Sequence, residues 1–180
     1  MPRISSIAVC VFLLATSALA QVPKGNVFFG YSYVRTDAFV PSFSSGANLN
    51  GWEGSLEGKV FPHVGIVADA SAHYGGQDFS FGRVDGSVYN FLFGPQVSVG
   101  VGKLTPFAHV LIGAGHVSAS SRAASFSTSD TSFADALGGG LDYKLIPAVA
   151  WRFQADLLQT RFFSDTQNNF RFSTGIVFRF

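Results

Sequence analysis

The sequence predicts an all-β fold: an eight-stranded antiparallel up-and-down transmembrane β-barrel behind a short leader segment. Apolar and polar residues alternate with period 2 in blocks of about ten to fourteen residues, as in strands that bury one face. Short turns and long polar loops alternate between these blocks. Hydrophobic residues make up 47% of the chain and charged residues only 13%, against a usual charged share of about 25%.

The first 20 residues have the order of a secretory signal peptide. An early cation, Arg3, precedes an apolar run from Ile7 to Leu14, and small residues close the segment at 18–20. A membrane anchor is the alternative, but the apolar run falls short of the roughly 20 residues that span a bilayer. We therefore expect a cleaved signal peptide over residues 1–20.

The mature chain would begin at Gln21, and residues 21–180 would form one barrel domain. The single cysteine, Cys10, lies in the segment to be removed, which excludes disulfides, thiol catalysis and cysteine metal ligands from the mature protein. No mature segment has 18 consecutive apolar residues, so a helical membrane protein is not expected. The net charge of +1 gives no reason to expect nucleic acid as a partner.

Eight blocks predict the strands in order. They are NVFFGYSYVR (26–35), GWEGSLEGKVF (51–61), VGIVADASAHY (64–74), VYNFLFGPQVSV (88–99), TPFAHVLIGAGHV (105–117), FADALGGGLDYKL (133–145), AVAWRFQADLLQT (148–160) and the terminal block 170–180. Glycines or mixed faces blur the first, fifth and sixth blocks. The terminal block is the clearest, because Phe170, Phe172, Thr174, Ile176, Phe178 and Phe180 share one face while Arg171, Ser173 and Arg179 share the other.

The other clear blocks separate two faces in the same way. Their apolar faces are Trp52, Leu56 and Val60; Val64, Ile66, Ala68 and Ala70; Tyr89, Phe91, Phe93 and Val97; and Val149, Trp151, Phe153, Ala155 and Leu157. Tight turns are predicted at 61–63, 102–104 and 144–147, and long loops at 36–48, 75–86 and 118–131. Turns at one end and loops at the other predict the up-and-down order.

Alternation alone does not decide which face looks inward. A soluble barrel such as a lipocalin fills its interior with the apolar face, whereas a membrane barrel turns that face to lipid and lines its interior with the polar one. The polar faces here are chiefly Gly, Ser, Ala, Asn and Gln, too poor in charge for a soluble exterior. Aromatic residues near strand ends are typical of interfacial girdles: Tyr31, Tyr33, Trp52, Tyr74, Tyr89, Tyr143, Trp151 and Phe180.

The chain resembles the small eight-stranded outer-membrane barrels related to the transmembrane domain of outer-membrane protein A. The resemblance covers roughly residues 25–180 and rests on VFFGYSYVR, FLFGPQVS, TPFAHVLIGAG, LGGGLDYKL and the terminal TGIVFRF. It implies a location in the bacterial outer membrane, contact with outer-membrane lipid, and an assembly signal at Ile176, Phe178 and Phe180 that the barrel-assembly machinery reads. Because the chain ends at the barrel, no peptidoglycan-binding domain is expected. We expect a monomer.

An eight-stranded barrel is just wide enough for its own side chains to fill it, so a wide pore is not expected. The interior would enclose a charge network whose members must pair, because an isolated buried charge costs several kcal/mol. Its members are Glu53, Glu57, Lys59, Asp69, Arg152, Asp156, Arg171 and Arg179, with His73 and His109 nearby. The network is interpreted as a rigid plug, and a gated proton or small-ion path along the same residues is the alternative.

Catalysis is a further hypothesis, since some small outer-membrane barrels modify lipid A. His116 and Ser118 share one face of a strand, with Asp130 or Asp135 as an orienting acid. His-x-Ser is a weak motif, and the four histidines lack the spacing of metal ligands. We therefore expect no catalytic residues, metal or cofactor, and a structural or surface-interaction role; a narrow ion or small-solute channel, or a lipid A-modifying enzyme, is the alternative.

Overall fold

Eight strands make up nearly all of the protein that the computed structural model describes, which comprises residues 25–36, 47–79, 82–121, 126–161 and 167–180. The strands are β1 Gly25–Thr36, β2 Ala47–Phe61, β3 Val64–Phe79, β4 Gly82–Ser98, β5 Leu104–Ser121, β6 Phe126–Ile146, β7 Val149–Thr160 and β8 Gln167–Arg179. The predicted signal peptide, residues 1–20, lies outside the described residues. Within the described ranges, no helix has the length and apolar character that a membrane crossing requires.

Each strand pairs antiparallel with the next, and β1 pairs with β8, so that the sheet closes into a barrel. The closing ladder runs without a register shift from Asn26 opposite Arg179 to Thr36 opposite Asn169. Beyond it, the Gly25 amide donates to a Phe180 oxygen at 2.9 Å and the Phe180 amide donates to the Gly25 carbonyl at 3.1 Å. Closure means that neither β1 nor β8 is a free edge strand, and the predicted eight-stranded up-and-down barrel is confirmed.

The hairpins at the end of the barrel opposite Gly25 and Phe180 are longer than the sequence predicts. The predicted loop 75–86 is wrong, because β3 and β4 stay paired up to Phe79 opposite Gly82. The predicted loop 118–131 is also wrong, because β5 and β6 stay paired up to Ser121 opposite Phe126. Backbone hydrogen bonds hold these extensions whatever the side chains, and outside the bilayer nothing imposes alternation. Most of the predicted loop 36–48 lies outside the described residues.

The two faces of the sheet separate as predicted. In β7 the side chains alternate regularly between buried and exposed, with Arg152, Gln154 and Asp156 inside and Trp151 and Phe153 outside. The predicted girdle residues are largely exposed on the outer surface. Trp52, Tyr74 and Tyr89 lie in the half nearer the long hairpins, whereas Tyr143, Trp151 and Phe180 lie near the short turns.

The interior is less polar than the sequence predicts. Besides the polar side chains it contains an apolar cluster contributed by β3 to β7: Val67, Leu92, Leu111, Ala134, Ala136 and Leu158. A smaller cluster of Phe28, Ala150 and Val177 lies on the closing side of the barrel. The alanines fit the predicted inner face, whereas the leucines add apolar volume that the sequence did not predict there. In a barrel this narrow, any side chain of the right volume can fill the space.

Glycine allows the strands to approach closely where the barrel closes. Gly30 on β1 and Gly175 on β8 are directly opposite. A side chain at Gly30 would clash with the backbone of Thr174, and one at Gly175 with the backbone of Phe29 and Gly30. These contacts are with backbone atoms, which cannot move aside as a flexible side chain can.

We expect Gly175→Val to destabilise the folded barrel by about 1–3 kcal/mol, the usual cost of overpacking. Gly58→Val is the matched control, because an added Cβ at Gly58 meets no atom within 4 Å; its effect should stay within about 0.5 kcal/mol. Urea unfolding in detergent micelles measures both. Equal stabilities of the two variants would contradict the close approach at the closing seam.

Candidate functional site in the barrel interior

One arginine lies at the centre of the charged interior. Arg171 of β8 is completely buried, and its guanidinium contacts carboxylates from three other strands. Its Nε donates to Asp156 Oδ2 at 2.7 Å, and its Nη1 donates to Asp69 Oδ1 at 2.9 Å. Glu53 Oε2 lies 3.5 Å from Nε. Three acidic side chains therefore share one guanidinium, and we call these four residues the central cluster.

Further side chains hydrogen-bond to the carboxylates of Glu53 and Asp156 in the central cluster. The Gln154 amide donates to Glu53 Oε1 at 2.7 Å and to Asp156 Oδ2 at 3.0 Å. The Ser173 hydroxyl donates to Glu53 Oε2. His109 Nε2 lies 2.8 Å from Asp156 Oδ1. Because buried charges are stable only when they are paired and hydrogen-bonded, this shell is what allows three carboxylates to lie together.

Glycine makes one of these contacts possible. His109 on β5 and Asp156 on β7 are separated by β6, and Gly138 of β6 is the cross-strand partner of both. A Cβ at Gly138 would overlap Asp156 Oδ1. The missing side chain therefore leaves the space in which His109 reaches Asp156, in keeping with close packing inside a narrow barrel.

A second group of charges, the lower cluster, lies near the short turns. Arg152 makes a bidentate contact with Asp142, with Nε to Oδ1 at 2.7 Å and Nη2 to Oδ2 at 3.0 Å. Its guanidinium carbon lies 4.4 Å from the centre of the Phe107 ring and 5.1 Å from that of Phe28. Arg179 adds a longer contact to Asp142 Oδ2 at 3.3 Å. Arg152 is thus held by a charge pair and by two aromatic faces.

The lower cluster continues to a cavity of about 300 Å³ that opens at this end of the barrel. Lys59 Nζ lies 2.5 Å from Glu57 Oε1 and donates to Ser98 Oγ at 2.6 Å. The Asn26 amide donates to Glu57 Oε2. The side chains of Lys59 and Arg179 remain 20% and 25% exposed, so these two cations border the cavity, whereas the central cluster is fully buried.

All eight charged residues that the sequence assigns to the interior lie inside the barrel, divided between these two clusters. Arg152 and Asp156 lie four residues apart on β7 but belong to different clusters. Asp142, the main partner of Arg152, was not predicted, because three glycines blur the alternation of its block. The register could have identified it, since Asp142 and Arg152 are directly opposite on β6 and β7.

The hypothetical catalytic residues lie elsewhere. His116 is exposed on the outer face of β5, and its Nδ1 lies 2.7 Å from Thr131 Oγ1 rather than against Ser118. Asp130 is directly opposite Val117, whose side chain is buried inside, whereas Asp135 is opposite the exposed Ile112. The structure does not bring His116, Ser118 and these acids together as a triad. In the described part of the chain, no three acidic, histidine or cysteine side chains converge to hold a metal ion.

Comparison with known proteins finds similar sequences and folds among outer-membrane β-barrels. A family model described as outer membrane protein beta-barrel domain matches residues 6–180. The chain is similar to Neisserial surface protein A, with 11% identity, a TM-score of 0.72 and coverage of 88% of this chain and 99% of that one.

Two further solved structures are similar. One is Ail, the attachment invasion locus protein of Yersinia pestis, solved with the heparin analogue sucrose octasulfate; it shares 18% identity and a TM-score of 0.64 over 89% of this chain and 100% of that one. The other is the N-terminal β-barrel domain of Pseudomonas aeruginosa OprF, with 16% identity, a TM-score of 0.55 and coverage of 89% and 100%. No curated protein sequence matches the chain. At such identities, the likeness to the solved structures shows the fold alone.

Removal of Arg171 should destabilise the barrel far more than removal of Arg179, the partly exposed arginine of the lower cluster. We expect Arg171→Met to lose about 3–5 kcal/mol, because three buried carboxylates lose their shared cation. Arg179→Met, the same substitution at a side chain that is 25% exposed, should lose only about 0–1 kcal/mol. Urea titration in detergent micelles measures both losses. If Arg171→Met costs only a few tenths of a kcal/mol, water rather than protein solvates the central carboxylates.

Proposed function

Because the chain belongs to the family of outer membrane protein β-barrel domains, we propose that it is a rigid barrel with a structural or surface-interaction role and no catalytic activity. The fold is that of a bacterial outer-membrane protein in contact with membrane lipid. The observation that carries the proposal is the filled interior. Arg171, Leu92 and Leu111 are all completely buried, so charged and apolar side chains together occupy the middle of the barrel.

The outer end of the barrel supports a surface role. The three longest strands, β4, β5 and β6, have 17, 18 and 21 residues, whereas a tilted strand needs only about 9–11 to cross the bilayer. Long connections of membrane barrels face the outside of the cell, and short turns face the periplasm. The extra length therefore extends paired strands beyond the membrane, where they can present a stable surface to a partner.

The proposal includes how the protein reaches the membrane. Residues 1–20 would act as a signal peptide that is cleaved before Gln21, and residues 21–180 would fold as a monomeric barrel. The barrel-assembly machinery would read the end of β8, at Ile176, Phe178 and Phe180. The exposed side chains of Phe178 and Phe180 on the outer surface support this role, because they are accessible to a partner before lipid covers them.

Conductance and catalysis are the outcomes that would overturn the proposed function. We expect purified protein in planar lipid bilayers to give no current steps, because paired charges and packed leucines fill the interior. A wide-pore barrel in the same bilayers shows that current steps can be detected.

We likewise expect no acyl release in a lipid A deacylation assay. Regular current steps would favour the narrow channel, and acyl release that is lost in His116→Ala would favour the enzyme.

A matched pair of phenylalanines tests the assembly signal. Phe170 and Phe180 lie on the same face of the terminal block, and each is 47% exposed. Their replacement by serine should lower the stability of refolded protein in micelles by similar amounts. In cells, Phe180→Ser should reduce the amount of folded barrel severalfold more than Phe170→Ser, because only the cellular route needs the signal. Equal amounts of the two folded variants in outer-membrane fractions would contradict the proposed signal.

A further inference from the structure

A chain of hydrogen bonds leads from the central cluster toward the long hairpins. Ser173 donates to Glu53 Oε2 and lies directly opposite Ser32, with 2.8 Å between the two Oγ atoms. Ser32 Oγ in turn lies 2.8 Å from His73 Nε2. Gly51 of β2 is the cross-strand partner of both Ser32 and His73. Because Gly51 has no side chain, these two residues meet across β2 inside the narrow barrel.

His73 ends this chain with one ring nitrogen still to be satisfied. Its side chain is completely buried, and its Nδ1 has no hydrogen-bond partner among the described residues. Nδ1 is a donor when it carries a proton and an acceptor when it does not, and a buried polar atom without a partner is destabilising in either state. Buried polar atoms in folded proteins are nearly always bonded to protein or to ordered water.

His73 lines a cavity of about 20 Å³ in the half of the barrel nearer the long hairpins. Asn90 of β4 and Asn169 of β8 line it too, and both side chains are more than nine-tenths buried. Within the described ranges, both amide atoms of Asn90 and the Oδ1 of Asn169 have no hydrogen-bond partner. The apolar residues of the wall are Val34, Leu49, Val88, Val117 and Leu158. Three buried polar side chains therefore border one small space with hydrogen bonds still to be made.

We propose that this cavity is a binding site for one water molecule, held by His73 Nδ1, the Asn90 amide and Asn169 Oδ1. The volume suffices, because a water molecule takes up at least about 10–15 Å³ and needs two to four polar partners.

The mixture of partners selects water over an ion. The Asn90 Nδ2 group only donates, which disfavours a cation, and Asn169 Oδ1 only accepts, which disfavours an anion. Water donates and accepts, so it bonds to all three side chains whichever nitrogen of His73 carries the proton. The water extends the hydrogen-bonded chain of the central cluster from Glu53 to the cavity. The site lies inside the barrel, so it does not depend on the proposed surface role.

Magnetisation transfer from water in NMR spectra of the barrel refolded in micelles tests the proposal. The side-chain amide protons of Asn90 should receive a nuclear Overhauser effect from water, with the sign of a bound rather than a rapidly diffusing molecule. Gln154 is the internal control, because its buried amide donates to Glu53 and to Asp156; it should receive no such transfer. Absence of the effect at Asn90, or an equal effect at Gln154, would overturn the proposal.

Two adjacent asparagines give a matched pair of variants. Asn169→Leu replaces a polar wall of the cavity with an apolar side chain and should abolish the transfer to Asn90. Asn168→Leu makes the same change on the outer face, where Asn168 accepts a hydrogen bond from Gln159, and should leave the transfer intact. Undiminished transfer in Asn169→Leu, or equal loss in both variants, would contradict the site.

A crystal structure of the barrel supplies an independent measurement. It should show a single solvent peak about 2.7–3.2 Å from His73 Nδ1, the distance of a hydrogen bond. A peak whose occupancy follows the sodium concentration of the crystallisation solution would assign the cavity to a cation and overturn the proposal.

Discussion

The bilayer offers no water to hydrogen-bond a free backbone group, and this constraint shapes the rest of the structure. A sheet can cross the membrane only if its first and last strands pair. Here β1 and β8 pair along their whole common length, and backbone bonds between Gly25 and Phe180 extend the ladder to the end of the chain. Gly30 and Gly175 let the two strands meet where larger residues would clash.

Closure with eight strands leaves an interior too narrow for water to solvate charges freely. Inward charged side chains must therefore find their partners within the barrel. Arg171 meets this requirement by contacting acids on three other strands, and Arg152 meets it with Asp142 and two aromatic rings. The side formed by β3 to β7 meets it differently, with leucines and alanines that need no partner. Both solutions fill the interior.

The outer surface faces lipid, so it requires apolar side chains rather than paired charges. Large apolar side chains face the acyl chains, and tyrosine and tryptophan lie nearer the two ends of the barrel, where a ring with one polar atom suits the interface. Trp151 illustrates this, since its indole nitrogen donates to Thr174 Oγ1 at 2.8 Å while its ring remains on the surface. His116 and Thr131 are polar exceptions on this surface, because they pair with each other there rather than pointing into the interior.

Some interior contacts could be predicted from the sequence once the strands were aligned. Asp156 and Arg171 are directly opposite, as are Asp142 and Arg152, and Asn26 and Glu57. Correct alternation placed most of these residues inside. Asp142 was not predicted, because the three glycines before Leu141 have no side chain to mark a face of the strand. The long hairpins were not predicted, because hydrogen-bonded strands outside the bilayer need no apolar face.

The sequence by itself determined the strand number, the short turns at 61–63 and 102–104, and the face on which each charged residue of the clear blocks lies; the turn predicted at 144–147 lies instead between Ile146 and Val149. Period-2 alternation is a local property, and the lipid on one side of the sheet enforces it at every step. Only the tertiary structure decided which charges meet across the interior. Arg171 reaches Asp69 and Glu53, and His109 reaches Asp156 over Gly138, because closure and strand register bring distant strands together. Such contacts depend on the shape of the closed barrel, which no single strand encodes.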